Sequence, residues 1–371
     1  MSIFRNRSVF LTGHTGFKGS WLAMWLQQLG AHVHGYALPA PEISLFGEAR
    51  VADGLASHTL ADIRDHQRLI QALRASRAEI VFHLAAQPLV RLAYEQPRET
   101  FEVNVQGTVN LLDAVRQSEG VRVVQIITSD KCYENREWEY AYRENDAMGG
   151  FDPYSASKGC AELVTAAYRR SFFHPASMDR HQVSVASARA GNVIGGGDWA
   201  QDRIIPDCIR SLDSGDSILV RNPRAIRPWQ FVLEPLSGYL RLAEKQWDHG
   251  KVWADAFNFG PLASGCVTVA QVVASAIKHW GRGQWHTTAS SDAAPHEANF
   301  LKLDITKSEN LLEWHPTCTV DEAVALTIQW YKQRAAGGLH FDARELCEIQ
   351  LTEFQKQSIA QLKMREVTDA R

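Results

Sequence analysis

The sequence predicts an α/β protein with a Rossmann-like, doubly wound parallel sheet and a smaller mixed lobe toward the C-terminus. Short apolar, β-branched runs such as Val121–Thr128 alternate with segments of helical periodicity. This pattern is typical of a parallel sheet covered by helices on both faces. A glycine-rich turn directly follows the first apolar run. The alternation becomes irregular from about Asn192, where loops and tryptophans follow, and this change predicts the smaller lobe.

Each predicted element follows from a run of this kind. Strands are expected over residues 8–12, 31–38, 58–63, 79–86, 121–128 and 182–189. Helical spacing predicts helices over residues 17–29, 65–76, 98–117, 153–173, 267–280 and 320–334. Residues 39–57, with two prolines and two glycines, are predicted to be a loop-like insertion.

These elements suggest a division into domains. Residues 1–188 are expected to form the Rossmann-like domain, to which segments near 229–260 return. Residues 189–335 are expected to form mainly a substrate-binding lobe, and residues 336–371 a C-terminal tail of helical character.

Composition narrows the function classes. The chain has 371 residues, a net charge of −3 and 45% hydrophobic residues, and its pI is about 6.5. Neither sign of charge dominates, so no nucleic-acid or membrane partner is expected. No apolar stretch approaches the ~20 residues of a membrane span, and the first apolar run is too short for a secretion leader. The six cysteines are scattered without a C-x-x-C pair, which favours reduced thiols, a cytoplasmic location and no metal site.

The glycine turn, Gly13-His14-Thr15-Gly16-Phe17-Lys18-Gly19, is G-x-x-G-x-x-G between a predicted strand and a predicted helix. Glycine lets the backbone approach a pyrophosphate closely, and the start of the helix offers free N–H groups and a partial positive charge. We therefore predict a dinucleotide site in which Gly13, Thr15, Gly16, Phe17 and Lys18 contact the cofactor. The structural alternative is an ordinary strand–helix turn.

The adenosine end of this predicted site departs from the usual pattern. A carboxylate normally ends the second strand and binds the ribose, but here that strand ends in Gly35-Tyr36-Ala37-Leu38. The residues alone therefore leave the choice between NAD and NADP open. The missing carboxylate also suggests weak retention of the cofactor. Asp62 and Ile63, after the third strand, suit an adenine contact, although Asp62 also fits a helix N-cap.

The segment Tyr154-Ser155-Ala156-Ser157-Lys158 is Y-x-x-x-K within a predicted helix, so Tyr154 and Lys158 share one helix face. A nearby cation lowers the pKa of a phenol from ~10. We expect Lys158 and a positive nicotinamide to make Tyr154 a base for hydride transfer. Ser129, Asp130 and Lys131 follow the strand over 121–128, at the sheet edge where ligands bind in such folds.

Together with His83-Leu84-Ala85-Ala86-Gln87 and Asn104, these motifs resemble the extended short-chain dehydrogenase/reductase family. More narrowly, Thr12–Trp21, Ser129–Tyr133, Gly195–Trp199 and Arg227–Gln230 resemble the CDP-glucose 4,6-dehydratase family, and the similarity extends from about residue 5 to residue 335. The resemblance implies NAD as cofactor, with Leu84, Ala85 and Ala86 among its contacts. It also implies deoxysugar synthesis for lipopolysaccharide O-antigen.

The resemblance further implies a reaction, in which CDP-glucose is oxidised at C4, loses water across C5 and C6, and regains the hydride at C6. Ser129 then bonds the C4 oxygen, and protonated Asp130 donates a proton to the leaving 6-hydroxyl. Lys131 stands where dTDP-glucose dehydratases have a glutamate that acts as the C5 base. We interpret Lys131 as this base. The rival interpretations are that Lys131 holds Asp130 ionised or contacts the substrate.

Cations and donors in the second half of the chain suit a nucleotide diphosphate. The predicted substrate-binding residues are Asn104, Arg189, Asn192, Arg203, Arg227 and His296. A solvated surface charge is the alternative for Arg203 and His296. His83 is either a hydrogen-bonded core residue or part of the cofactor pocket, and Asn104 is also interpreted as a residue that distorts its helix and organises the active site. Relatives dimerise through the helices that contain Asn104 and Tyr154, so a homodimer is expected.

Three other functions stay open at this point. A 4-epimerase needs Ser129, Tyr154 and Lys158 but has no use for the acid–base pair at 130–131. A dehydratase that acts on a different nucleotide sugar fits the same residues. A non-enzymatic NAD-sensing protein does not need an activated phenol, and the intact Ser129, Tyr154 and Lys158 argue against it.

Overall fold

The computed structural model describes residues 2–287 and 300–369. The strands within these residues are β1 Ser8–Thr12, β2 His32–Ala37, β3 Ser57–Leu60, β4 Ile80–His83, β5 Val123–Ile127, β6 Ser184–Ala190, β7 Val193–Ile194, β8 Ile218–Leu219, β9 Ile226–Pro228, β10 Gln230–Phe231, β11 Ala256–Phe259, β12 Cys266–Thr268 and β13 Trp285–His286.

The α-helices within the same residues vary from single turns to a long C-terminal helix. They are α1 Phe17–Gln28, α2 Leu45–Glu48, α3 His66–Ser76, α4 Val90–Glu95, α5 Pro97–Phe101, α6 Gly107–Arg116, α7 Pro153–Ser171, α8 Met178–His181, α9 Ile204–Ser214, α10 Leu233–Trp253, α11 Val269–Trp280, α12 Thr306–Leu312, α13 Val320–Gly337 and α14 Ala343–Asp369. No helix among the described residues combines the length and the apolar character needed to cross a membrane.

The central sheet has seven strands in the order β11-β6-β5-β4-β1-β2-β3. All neighbouring strands are parallel, and each residue of β5 is buried, as expected for a strand covered by helices on both faces. In register, Thr12 of β1 lies opposite Tyr36 of β2 and His83 of β4. The carboxyl ends of these strands therefore meet at one edge. The predicted Rossmann-like, parallel fold class is confirmed.

The smaller elements lie outside this sheet. Three two-stranded sheets pair β7 with β10, β9 with β12 and β8 with β13. Strand β11 follows α10 and pairs with β6, so the chain returns to the edge of the main sheet after residue 253. The predicted domain boundaries remain a prediction.

Several predicted elements differ from the observed ones. Residues 39–57 are not a plain loop, because they contain α2 and a 3-10 turn over Val51–Gly54. Ser44 caps α2 by accepting the Gly47 N–H at 3.3 Å, and Leu45 and Phe46 are buried. The helix predicted over 98–117 is divided by a π-helical turn, Glu102–Gln106. Such breaks depend on tertiary contacts that periodicity does not contain.

Helix α14 covers the outer face of α1. The Phe354 ring lies 5.9 Å from the Trp25 ring and 6.4 Å from the Phe231 ring. This cover explains why all eight residues from Gly19 to Leu26 are buried, since a helix that is apolar on all sides must be enclosed on all sides. The C-terminal helix thus supports the helix that follows the glycine turn.

Replacing Phe354 with Ala is expected to lower the free energy of unfolding by about 3–5 kcal/mol, because a buried aromatic side chain is lost and a cavity remains. Ile349→Ala is the matched control on the same helix, since Ile349 is 46% exposed. That control should change the free energy by less than about 0.5 kcal/mol. Urea unfolding followed by circular dichroism measures both. Equal effects in the two variants would show that α14 does not pack on α1 as described.

Candidate active site

A cavity of about 680 Å³ opens at the carboxyl edge of the sheet. It extends from the glycine turn past the ends of β4 and β5 to the start of α7 and the segments around residues 190–207 and 219–229. The predicted residues that line it are Gly13, Thr15, Gly16, Phe17, Lys18, Asp62, Ile63, Leu84, Ala85, Ala86, Ser129, Asp130, Lys131, Tyr154, Lys158, Asn192, Arg203 and Arg227. The fold therefore brings the predicted cofactor residues and the predicted catalytic residues into one cavity.

The glycine turn has the close packing that a pyrophosphate cradle requires. Gly13 has φ +74°, and a Cβ on it would lie 2.7 Å from the Ala85 nitrogen. A Cβ on Gly19 would lie 2.1 Å from the Gly13 carbonyl oxygen. Gly16 is the N-cap of α1 and no side chain caps this helix, so the N–H groups of its first turn are available to an anion. These residues fit a dinucleotide.

The adenosine end of the cavity contains Asp62 and Ile63, as predicted. The Asp62 carboxylate accepts from Arg64 Nη2 at 2.6 Å and from the Arg64 backbone N–H at 2.8 Å. The hydrogen bond from Arg64 is the main reason that the pKa of Asp62 is lowered. The N-cap of α3 is Asp65, so the N-cap alternative for Asp62 is wrong. The exposed apolar side chains of Leu38 and Ile43 line this end as well.

Helix α7 presents Tyr154 and Lys158 to the cavity. Asp152 caps the helix by accepting the Ser155 N–H at 2.9 Å, and Pro153 occupies the first turn. Burial raises the pKa of Tyr154 to about 12, opposed by Ser129 and Arg203. Burial lowers the pKa of Lys158 to about 8. The expected lowering of the Tyr154 pKa is therefore absent in the chain alone, because the desolvation of the phenolate outweighs the nearby cations.

Ser129, Asp130 and Lys131 form the start of a tight turn after β5. The Ser129 hydroxyl donates to Asp130 Oδ1 at 2.9 Å and accepts the Lys131 backbone N–H at 3.2 Å. Asp130 Oδ2 is buried with no hydrogen-bond partner among the described residues. Burial raises the pKa of Asp130, opposed mainly by Lys131, which suits a carboxyl that holds a proton. Lys131 Nζ lies 5.9 Å from the centre of the Tyr154 ring.

Arg227, Arg203 and Asn192 line the cavity as well, and Arg227 acts on the charge of Asp130. Arg227 is 7% exposed, and its Nη1 donates to the Ile226 carbonyl at 3.0 Å. Arg203 Nη1 donates to Asp198 Oδ2 at 2.8 Å. These cations have the positions that an anionic ligand needs when it lies next to Asp130 and Lys131.

Two predicted substrate residues require correction, since neither belongs to the described residues that line the cavity. Arg189 is buried, and its Nη2 donates to Glu162 Oε2 at 2.8 Å. Asn104 lies in the π-helical turn, where its Oδ1 accepts the Gln87 N–H at 2.8 Å and its Nδ2 donates to Ser157 Oγ at 2.8 Å. Both side chains form hydrogen bonds with other residues of the chain, so they support the site from outside the cavity.

The two predicted histidines have different outcomes. His83 is buried, and its Nδ1 is 2.7 Å from the Thr12 hydroxyl oxygen. Burial lowers the pKa of His83 to about 3, so it is a neutral, hydrogen-bonded core residue. His296 lies outside the described residues.

The sequence did not predict a polar cluster at the mouth of the cavity. Asp202 Oδ1 accepts from Arg221 Nη1 at 2.6 Å and lies 3.5 Å from Arg91 Nη1, and all three side chains line the cavity. The two arginines belong to no motif and are far apart in sequence, so no local signal pointed to them. Among residues 2–287 and 300–369, no group of three or more His, Cys, Asp or Glu is placed to hold a metal ion.

Comparison with known proteins agrees with this geometry. A family model described as GDP-mannose 4,6 dehydratase matches residues 10–327. The chain belongs to this family. The CDP-glucose 4,6-dehydratase of Salmonella typhimurium is 51% identical over 333 residues, which are 89% of this chain and 92% of that protein. The predicted family is thereby confirmed.

Comparison with more distant proteins shows similarity of sequence in one case and of fold in another. GDP-mannose 4,6 dehydratase 2 of Caenorhabditis elegans is 26% identical over 351 residues, covering 87% of this chain and 89% of that protein. The crystal structure of DesIV from Streptomyces venezuelae, a dTDP-glucose 4,6-dehydratase with NAD bound, has a TM-score of 0.74 at 22% identity. It covers 88% of this chain and 98% of the other, and it shows that the fold is shared.

Gly19→Ala is expected to weaken NAD binding by more than about tenfold, a loss of about 1.4 kcal/mol, because the new methyl group forces the glycine turn out of shape. Gly260→Ala is the control: its Cβ would lie 3.4 Å or more from its neighbours, which is ordinary contact. Titration calorimetry with NAD measures both variants, and circular dichroism checks that they are folded. Unchanged affinity in folded Gly19→Ala would exclude the turn as the pyrophosphate site.

Proposed function

We propose that this protein is an NAD-dependent hydro-lyase that converts CDP-glucose into CDP-4-keto-6-deoxyglucose and water. The observation that carries the proposal is that Asp130 and Lys131 line the same cavity as Tyr154, Lys158 and the glycine turn. Oxidation at C4 needs only the last three, whereas elimination across C5 and C6 needs an acid and a base in addition. Similarity to the Salmonella enzyme supports the choice of CDP as nucleotide.

The cofactor residues fit NAD, which when bound supplies the hydride acceptor at C4 and the hydride donor at C6. Tyr154 removes the proton of the 4-hydroxyl, which requires its pKa to fall from about 12. Lys158 and the positive charge of the cofactor act in that direction. Ser129 donates a hydrogen bond to the C4 oxygen as it becomes a carbonyl.

The 4-ketone makes the C5 proton acidic, and the Ser129–Lys131 turn then carries out the elimination. Lys131 in its neutral amine form removes the C5 proton and becomes an ammonium. Asp130, whose pKa is raised by burial, donates a proton to the departing 6-hydroxyl. The two side chains are adjacent in sequence and line the same cavity, so one segment supplies both the acid and the base.

The nucleotide diphosphate is bound by the cations that line the cavity. Arg227 and Arg203 provide guanidinium groups, which match phosphate oxygens in geometry and charge, and Asn192 provides an amide. Arg91 and Arg221 at the mouth add positive charge along the entry path. Since these groups recognise any diphosphate, the preference for cytidine rests on the similarity to the Salmonella protein.

We also propose that the protein is a cytoplasmic homodimer. Exposed apolar side chains on the neighbouring helices α5 and α7 support the dimer, among them Phe101, 37% exposed, and Leu163, 59% exposed. All six cysteines are free thiols, which suits a reducing compartment. A place in O-antigen synthesis and the expected absence of nucleic-acid and membrane partners stay predictions.

Incubation of the protein with NAD and separate CDP-, dTDP-, UDP- and GDP-glucose tests the proposal. Mass spectrometry should detect loss of water from CDP-glucose with the highest kcat/KM of the four. A product isomeric with its substrate would identify a 4-epimerase instead. Preference for another nucleotide would contradict the cytidine assignment. NAD binding without turnover of any of the four nucleotide sugars would contradict the proposal that the protein is an enzyme acting on them.

Lys131→Met tests the assignment of the C5 base. Removal of a general base is expected to lower dehydration by on the order of a hundredfold or more. Oxidation of CDP-6-deoxyglucose, which has no 6-hydroxyl to lose, should persist because it needs no C5 base. Stopped-flow absorbance of NADH and exchange of the C5 proton with solvent separate the two steps.

Lys251→Met is the control for this variant, since Lys251 is an exposed lysine near the end of α10. It should leave both steps unchanged. Retained C5 exchange and normal turnover in Lys131→Met would rule out Lys131 as the base.

A further inference from the structure

A buried ion pair lies behind the cavity, between α7 and β6. Glu162 follows Lys158 by one turn of α7, as Lys158 follows Tyr154, so the three side chains share one helix face. Arg189 lies on β6, and its Nη2 donates to Glu162 Oε2 at 2.8 Å. Both side chains are only 4% exposed. No step of the proposed chemistry uses this pair directly.

The pair holds both ends of the Ser129–Cys132 turn. Immediately before the turn, Thr128 donates its hydroxyl to Glu162 Oε1. Immediately after it, the Tyr133 hydroxyl accepts from Arg189 Nη1 at 2.7 Å. The turn that bears the proposed acid and base is therefore attached at each end to one member of the ion pair.

Direct packing of α7 on the same turn leaves little freedom between them. A Cβ on Gly159 would lie 3.1 Å from the Cys132 carbonyl oxygen and 2.9 Å from the Gly149 carbonyl oxygen. The Gly149 N–H donates to the same Cys132 carbonyl at 2.9 Å. A glycine next to Lys158 thus lets the helix backbone touch the end of the turn.

The ion pair has the hydrogen bonds that make a buried pair rigid. Besides Arg189 and Thr128, Ser187 donates its hydroxyl to Glu162 Oε2 at 2.7 Å. Arg189 Nη1 also donates to the Glu144 carbonyl at 2.9 Å. Charge-assisted hydrogen bonds of this kind are short and directional, and a buried charge that loses its partner is strongly unfavourable. The pair therefore resists displacement more than a single neutral hydrogen bond does.

We propose that Glu162 and Arg189 are positioning residues for the dehydration. They fix the turn that bears Asp130 and Lys131 at the place, relative to the Tyr154 side of α7, that elimination requires. C4 oxidation takes its base and its neighbouring cation from α7 and only the Ser129 hydrogen bond from the turn. Elimination takes both its acid and its base from the turn, so oxidation tolerates a small shift of the turn better than elimination does. This role rests on the proposed function, because without dehydration there is no elimination to position.

Thr128→Val and Tyr133→Phe test the role, since each removes one hydroxyl that ties the turn to the pair and leaves both charges in place. Thr165→Val is the matched control: it removes a buried hydroxyl of α7 that donates to the Ala161 carbonyl at 2.7 Å and not to the ion pair. Both test variants are expected to lower kcat for dehydration by about tenfold or more, since a 1 Å misplacement can cost on the order of a hundredfold. KM should stay unchanged.

The partial reaction separates positioning from general damage. Oxidation of CDP-6-deoxyglucose should fall less than about threefold in the two test variants, as expected when transition-state interactions of one step alone are lost. The control should match the wild type in both reactions. Thermal unfolding and NAD titration identify any variant that is misfolded. If one test variant is misfolded, the other test variant alone tests the role.

Four results would contradict the role. If all three variants lose thermal stability alike but keep the wild-type kcat, the pair is only structural. If oxidation and dehydration fall equally, the pair acts on α7 and not on the turn. A wild-type protein that dehydrates no nucleotide sugar contradicts the proposed function and this role together, whereas an active wild type with unaltered test variants contradicts this role alone.

Discussion

Helix α7 buries two opposite charges on one face, Lys158 and Glu162, and the rest of the site depends on how those charges are compensated. Glu162 pairs with Arg189 of β6 and accepts hydroxyl hydrogen bonds from Thr128, directly after β5, and from Ser187 of β6. Among the described residues, no carboxylate forms an ion pair with Lys158, and burial lowers the pKa of Lys158 to about 8. The helix is thus fixed to the sheet by its carboxylate while its ammonium faces the cavity. This asymmetry places a cation beside Tyr154 without locking that cation into an ion pair.

The parallel sheet places the side chains of α7 and the residues at the strand ends in a single cavity. The strands β1, β4, β5 and β6 end at one edge, so the glycine turn, the Leu84–Ala86 segment and the Ser129–Lys131 turn converge there. A chain with the same motifs on unrelated edges would not bring hydride transfer and acid–base chemistry together. The mechanism therefore follows from strand order as much as from the residues themselves.

The elements that depend on the local sequence alone were predicted correctly. Val123–Ile127 and Pro153–Ser171 appear in the sequence as an apolar run and as a capped, periodic helix, and both are found. A distortion of the helix at Asn104 was predicted, and the π-helical turn confirms it. The partners of Asn104 and the pairing of Arg189 were missed, because Gln87, Ser157 and Glu162 are distant in sequence. The rise of the Tyr154 pKa in the chain without cofactor was not predicted either, because burial is a tertiary property. An arginine at the end of a core strand can bind a phosphate or neutralise a buried carboxylate. The residues that surround it in the folded protein determine which of the two it does.

The central claim is that one cavity oxidises C4 and then returns the same hydrogen to C6 after elimination. It is tested most directly by incubating the protein with NAD and CDP-glucose that carries deuterium at C4, followed by NMR of the product. The account predicts deuterium in the C6 methyl group and a solvent-derived hydrogen at C5. Deuterium that remains at C4, or that is lost to free NADH, would contradict it.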